Sequence, residues 1–247
     1  MERGRPLMAA PSEQDLALLR QNRPDRVERA WVVMYYSVVM SMVSSTEPEN
    51  TDLKDKLRCN LWMALNDVRL FLEPSEANIQ ALTLLACHVE EFTTPSLCWL
   101  LIGNACRMLQ ALGINSRRLD PETRERRRMI FWHLNLVDKG LAIIFGRPPT
   151  FHRAMAKEIP IPTLPQLTEF QPHSKAIGSV FGAHYMHQSL MCTQVIADIW
   201  YCLYEDEAPN DQKLVAVRES LETWYGEARM VRVSLIACAE LRALQMS

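Results

Sequence analysis

The sequence predicts an all-α fold, an irregular bundle of about eight helices, and three observations carry that prediction. Apolar residues recur at three- and four-residue spacing along most of the chain, the pattern of helices with one buried face. Cap signatures recur at the apparent starts of those runs: Ser12, Pro74-Ser75, Thr94-Pro95 and Asp120-Pro121. Glycine is scarce, 8 of 247 residues, and no run alternates apolar and polar residues between turn signals as a strand would.

The elements follow in chain order. Residues 1–11 read as a disordered N-terminus. Ser12 caps a short helix running to about Gln21, with Asp15 in its first turn. Pro24 opens the next helix, which runs to about Ser44. Glu47 to Asp52 is a polar loop. Leu53, Leu57, Leu61, Ala64, Leu65, Val68 and Leu72 then repeat at helical spacing. Pro74 and Ser75 break that helix and cap another, from about Glu76 to Glu91.

Thr94-Pro95 starts a helix that ends at Gly113 in the C′ position. Its only clearly polar residues between Leu97 and Leu112 are Asn104, Arg107 and Gln110, so it belongs in the middle of the bundle. Gly103 within it costs about 1 kcal/mol relative to alanine. Close approach of another helix, below Trp99, is the expected compensation. Asp120-Pro121 opens a helix with an apolar stripe of Ile130, Leu134, Val137, Leu141, Ile144 and Phe145, stopped by Gly146-Arg147-Pro148-Pro149. The proline-rich connection 148–172 is expected to cross the surface in extended form. A long helix from about Ser174 to Tyr204 follows, then an acidic break, Glu205 to Asn210, then helix to the end. Residues 12–247 are expected to form a single helical domain, with its central part over 75–151 and C-terminal helices over 174–247.

The bulk properties exclude several classes. A formal net charge of −2 gives no global attraction to nucleic acid or anionic membrane. The seven cysteines are odd in number and show no C-x₂-C spacing, which points to reduced thiols in a reducing compartment and to no bound metal. The most apolar run, Ala30 to Val43, is interrupted by Ser37 and Ser41 and is shorter than the roughly 18–20 residues a membrane span needs. It reads as a buried helix, and the N-terminus has no signal-peptide stretch.

Catalytic motifs are missing. There is no glycine-rich nucleotide fingerprint, P-loop, nucleophile elbow or zinc-protease helix, so no enzyme is expected. Asp52-x-x-Asp55 and Glu205-Asp206-Glu207 read as a solvated helix start and a loop, not as a pair of facing Mg²⁺ ligands. His184 and His187 share a helical face but lack further ligands at recognisable spacing. Two basic features admit a nucleic-acid reading. Arg3-Gly4-Arg5-Pro6 matches the core of a minor-groove hook, though without basic flanks. Arg117 to Arg128, which includes Arg126, Arg127 and Arg128, holds six arginines against three acids and fits either a nuclear-import or DNA-contact patch or a helix start laced with ion pairs.

Two segments together carry a family pattern. The first is Trp99-x-x-x-Gly103-x-Ala105-x-Arg107-Met108-x-x-Ala111-Leu112-Gly113-Ile114. The second is Glu125-Arg126-Arg127-Arg128-x-x-Phe131-Trp132, then Asp138, then Gly146-Arg147-Pro148. With Pro74-Ser75 and Ile79-Gln80-Ala81-Leu82 upstream, they closely resemble the middle homology region of the fungal Zn₂Cys₆ transcription factors. The resemblance covers about 75 residues firmly. It implies an all-helical regulatory domain of a nuclear transcription regulator, with some share in the cytoplasm open. Asn115, Asn135 and Lys139 stand where the family more often has histidine, tyrosine and arginine. The family's zinc-cluster DNA reader, which begins C-x₂-C-x₆-C, has no counterpart here, so no zinc or other cofactor is expected in this chain.

Motif residues also have physical roles. Asp138 and Arg127 fall at one edge of the apolar stripe, where a carboxylate needs a charged partner. An Asp138–arginine bridge is expected, with Arg107 or Arg147 as the partner. The functional expectation is a regulator represented by its regulatory domain, without its own DNA-binding head, as a truncated product or a free-standing modulator. Its partners would be other transcription proteins or a small effector, with no membrane and with a homodimer open. The alternative is a helical small-molecule-sensing or protein-interaction module that does not act on DNA.

Overall fold

The structure is a computed structural model that describes residues 11–21, 23–88, 93–169, 181–205 and 211–245. Among these residues it is all-α: eleven helices, eight of them seven residues or longer, and no strand. The chain gathers into two compact units. One comprises the described residues up to Leu134 with Pro149–Phe151, and the other comprises Asn135–Pro148 with the described residues from His152 onward.

In the first unit, α1 (Glu13–Arg20) opens with a capping box. The Ser12 hydroxyl accepts from the Asp15 N–H at 3.0 Å, and the Asp15 carboxylate accepts from the Ser12 N–H at 3.3 Å. The next helix, α2 (Arg29–Thr46), starts later than expected. Pro24 opens only a 3₁₀ turn, Pro24–Arg26, because Val27 is extended and turns its side chain into the core. Helix α3 (Thr51–Leu65) is capped by Asn50, whose side chain accepts from the Leu53 N–H at 3.2 Å, so the polar loop is shorter than the sequence suggested.

The helical repeat expected to run to Leu72 breaks at Asn66. Asp67 takes the Arg69 N–H at 3.1 Å with its own carboxylate, a local bond that competes with helix propagation. The chain restarts as one turn, α4 (Arg69–Leu72), which buries Leu70 and exposes Val68 and Leu72. Ser75 caps α5 (Glu76–His88) by accepting from the Asn78 N–H at 3.0 Å. Thr94 caps α6 (Pro95–Leu112), accepting from the Leu97 N–H at 3.3 Å, with Pro95 at N1 where no donor is needed. Asp120 caps α7 (Pro121–Phe145), accepting from the Thr123 N–H at 2.9 Å. Helix α7 gives its residues up to Leu134 to this unit and the rest to the other.

The core of the unit lies where α2 packs on α3 and α5 and where α5 packs on α6. Leu101, Ile102, Ala105, Cys106, Met108 and Leu109 of α6 are buried, as its narrow polar stripe implied. Phe131 and Trp132 are 0% exposed, and each contributes about 1.5–3 kcal/mol by leaving water.

The second unit contains residues 152–169 of the proline-rich connection, which are helical in part rather than an extended surface crossing. Its prolines bound two short helices, α8 (Arg153–Glu158) and α9 (Leu164–Glu169). His152 caps α8 through its Nδ1, and Pro165 occupies the first turn of α9, where a missing N–H costs nothing. Ile159 and Leu167 are buried, so this segment also contributes to packing. Helix α10 (Phe181–Trp200) continues as a π-helical turn, Tyr201–Glu205, and α11 (Asp211–Gln245) follows. The expected start of this long helix at Ser174 lies outside the described residues. Helix α10 packs on α9 and α11, and the Trp224 indole N–H donates to the Gln188 carbonyl at 2.9 Å.

Candidate functional site

Two residues of the family pattern, Gly113 and Arg127, meet in the first unit at the end of α6. Gly113 has φ +78°, a conformation L side chains rarely adopt, and ends the helix there. The last carbonyls of a helix have no partner within it. Arg127 supplies one: its guanidinium donates to the carbonyls of Leu112 and Gly113, the latter at 3.1 Å. The same side chain reaches Glu76 Oε1 at 3.2 Å, and Arg126 holds Glu76 Oε2 at 2.7 Å. Glu76 stands in the first turn of α5, where a carboxylate also meets the positive end of the helix dipole. One arginine thus fastens the C-terminus of α6 and the N-terminus of α5 to α7. The side chains are 13% and 21% exposed, so water screens this pairing weakly.

Two more arginines of the segment, Arg124 and Arg128, turn onto the same unit, while Arg117 and Arg118 are exposed. Arg124 donates to the carbonyls of Ser116, Arg117 and Leu119, and Arg128 donates twice to Asn115 Oδ1, at 3.0 and 2.6 Å. Each long side chain closes the α6–α7 connection. Arg3 and Arg5 lie outside the described residues.

Gly103 corrects an expectation. A Cβ there would meet Thr150 Oγ1 at 3.4 Å and an Arg107 guanidinium nitrogen at 3.8 Å, so the close neighbour is the loop after Pro149, not a helix. That loop sets Phe151 against Phe131, with ring centroids 4.8 Å apart, while Phe131 meets Trp132 edge-on at 5.4 Å. Trp99 is half-buried, and Arg107 is exposed. Beside them, Cys98 Sγ donates to the Ala86 carbonyl at 3.4 Å. Burial, and next the charge of Cys98, push the Cys87 thiol up to about 11.

In the second unit the remaining pattern residues sit on α7 and just past it. Gly146 has φ +62°, and the Arg147 N–H donates back to the Ala142 carbonyl at 3.1 Å, the Schellman arrangement, with Pro148 next. Asp138 is 3% exposed, which places it on the packed side of its helix as the stripe argument required. Its neighbour Lys139 is 1% exposed, with Nζ 5.8 Å from the centre of the Tyr201 ring. Arg153 lies 5.1 Å from the same ring and pairs with Asp198 at 2.9 Å. Among the described residues no three His, Cys, Asp or Glu side chains gather as metal ligands, and His184 and His187 are simply half-buried on α10. No helix among the described residues is long and apolar enough to cross a membrane.

The fungal-specific transcription factor domain profile matches residues 27–226. The chain belongs to that family. The resemblance carried by Trp99–Ile114 and Glu125–Pro148 is borne out, and the profile extends well beyond it on both sides. A transcriptional regulator of Claviceps purpurea is 47% identical over 221 residues, covering 87% of this chain and 35% of that protein. An uncharacterized transcriptional regulatory protein of Schizosaccharomyces pombe is 30% identical over 50% of this chain and 20% of its own length. An ABC-transporter-regulating transcription factor of Aspergillus oryzae is 24% identical over 58% of this chain and 17% of its own length. The chain therefore spans about a third or less of the length of these relatives. No solved structure matches the chain.

Within this fungal-specific domain, the reading from sequence found the arginines but not their partner. Glu76 entered that reading only as the approximate start of a helix, directly after the Ser75 cap. Thr150, Tyr201 and Arg153 carried no sequence signal.

Proposed function

We propose that this chain is the regulatory region of a transcription regulator, working in the nucleus through contacts with other proteins or a small effector. It has no enzymatic role in this reading and needs no cofactor of its own. Membership of the fungal-specific transcription factor domain family, over residues 27–226, carries the proposal. The engagement of Arg124, Arg126, Arg127 and Arg128 by carbonyls, Glu76 and Asn115 supports it further. Arginines spent on capping and pairing are poorly placed to neutralise phosphates, which dominate affinity for DNA.

A reporter assay tests the proposal. The chain, fused to an unrelated DNA-binding module in a fungal host, should change transcription from that module's promoter relative to the module alone. Unchanged output would overturn the regulatory reading. Duplex binding by the purified chain should be absent even at low salt. Binding that weakens steeply with salt, with a slope reduced by about 1 for each of Arg117 and Arg118 removed, would restore direct DNA contact. As part of the same reading, Asp138 is held by an arginine, Arg147 being the candidate within its own unit. A double-mutant cycle between Asp138→Asn and Arg147→Gln should return a coupling energy, and additive effects would remove that pairing.

A further inference from the structure

We propose that Cys87 and Cys98 form a redox-responsive dithiol in the first unit, converted to a disulfide by glutathione disulfide. The two residues sit near the end of α5 and one turn into α6, helices that pack on each other. Cys98 Sγ lies 3.4 Å from the carbonyl oxygen of Ala86, the residue bonded to Cys87. That oxygen is within about 3 Å of the Cys87 Cα by peptide geometry, which puts the Cys98 sulfur within about 6 Å of it. Disulfide-bonded cysteines have Cα atoms about 4.4–6.8 Å apart, and a sulfur this near the partner's Cα comes within reach of that geometry by rotation of the two side chains and a small shift of the helix ends. Cys59, by contrast, is exposed on α3, and Cys106 is buried within α6.

The environments assign the order of steps. Cys98 is the thiol that reacts first, because burial pushes the Cys87 thiol up to about 11 and leaves it little thiolate of its own. Its thiolate attacks one sulfur of glutathione disulfide, the S–S bond breaks, and one glutathione leaves as a thiolate that takes a proton. Cys87 then loses its proton to solvent and attacks the Cys98 sulfur, expelling the second glutathione. Two protein thiols are oxidised by two electrons, and one glutathione disulfide becomes two glutathione molecules. The product ties the end of α5 covalently to the start of α6, in addition to the Glu76 and Arg127 contacts at the opposite ends of these helices. A change in glutathione poise would in this way stiffen the unit's core.

The test treats the folded full chain with glutathione disulfide, blocks free thiols, and maps the digest by mass spectrometry. The expected product is one Cys87–Cys98 linked peptide, with titratable thiols falling from seven to five and returning to seven with excess reduced glutathione. Cys87→Ser should trap Cys98 as a stable mixed disulfide with glutathione, and Cys98→Ser should leave Cys87 reduced. Helical circular dichroism on each variant confirms that it is folded. A stable Cys98–glutathione adduct in the natural chain, or a Cys87–Cys98 bond that forms only in urea, would overturn the proposal. So would a Cys98→Ser chain in which Cys87 is modified as fast as before.

Discussion

Replacing Arg127 by alanine removes the contact that joins three helices, and its cost can be worked from the structure. The guanidinium donates to the Leu112 and Gly113 carbonyls and pairs with Glu76 at 3.2 Å. Hydrogen bonds to a charged group are worth about 1.5–3 kcal/mol each, while removing one partner of a buried pair costs about 3–5 kcal/mol. Three terms reduce the sum here. Arg126 stays on Glu76 at 2.7 Å, the Glu76 side chain is 21% exposed, and water can reach part of the freed helix end. The net expectation is a loss of about 2–3 kcal/mol. For a chain of this size that lowers the melting temperature by roughly 4–12 °C. Urea unfolding followed by helical circular dichroism measures it. Arg127→Lys should recover less than half, because an ammonium keeps the charge but cannot fork between two carbonyls and a carboxylate. A Glu76→Gln and Arg127→Gln cycle should give a coupling of about 1 kcal/mol or more. An Arg127→Ala chain within about 0.5 kcal/mol of the natural one would refute the argument, since a surface charge costs no more than that.

Other perturbations have equally definite outcomes. Gly113→Ala should cost more than Gly146→Ala, about 2 against about 1 kcal/mol, because φ +78° with ψ 124° falls outside the left-handed island that an alanine can reach; equal melting temperatures would contradict this. Phe151→Ala should destabilise the first unit by about 3–5 kcal/mol, as the side chain is fully buried against Phe131, and a neutral effect would show that the loop does not pack. Asp67 gives an acid-sensitive contribution. Hydrogen bonds from the Arg69 side chain and backbone hold its carboxyl down to about 2, against an ordinary 3.8. A lowered folded value means stability that is present above about pH 4 and lost as the pH falls through 2. Asp67→Asn should flatten the natural chain's stability profile over that window, and parallel profiles would refute the assignment.

Sequence alone determined the helical class and most of the caps, because each rests on residues within four positions of one another, and the family, because its pattern is read in linear order along the chain. Ser12, Ser75, Thr94 and Asp120 cap the helices they were expected to cap, and Gly113 and Gly146 end theirs with positive φ. Where a local signal was ambiguous, the sequence overreached. Pro24 fits a 3₁₀ turn as well as a helix start, and Asn66-Asp67 could interrupt an apolar repeat that periodicity alone carried on to Leu72. Only the tertiary structure decided what the motif residues touch. Glu76 and Arg127 lie 51 positions apart, and Gly103 and Thr150 are separated nearly as widely. No periodicity encodes such pairs, because chain folding rather than helix geometry brings them together. For the same reason four arginines of a segment that reads as a basic patch in one dimension become, in three, donors to the end of α6, to Glu76 of α5 and to the α6–α7 connection.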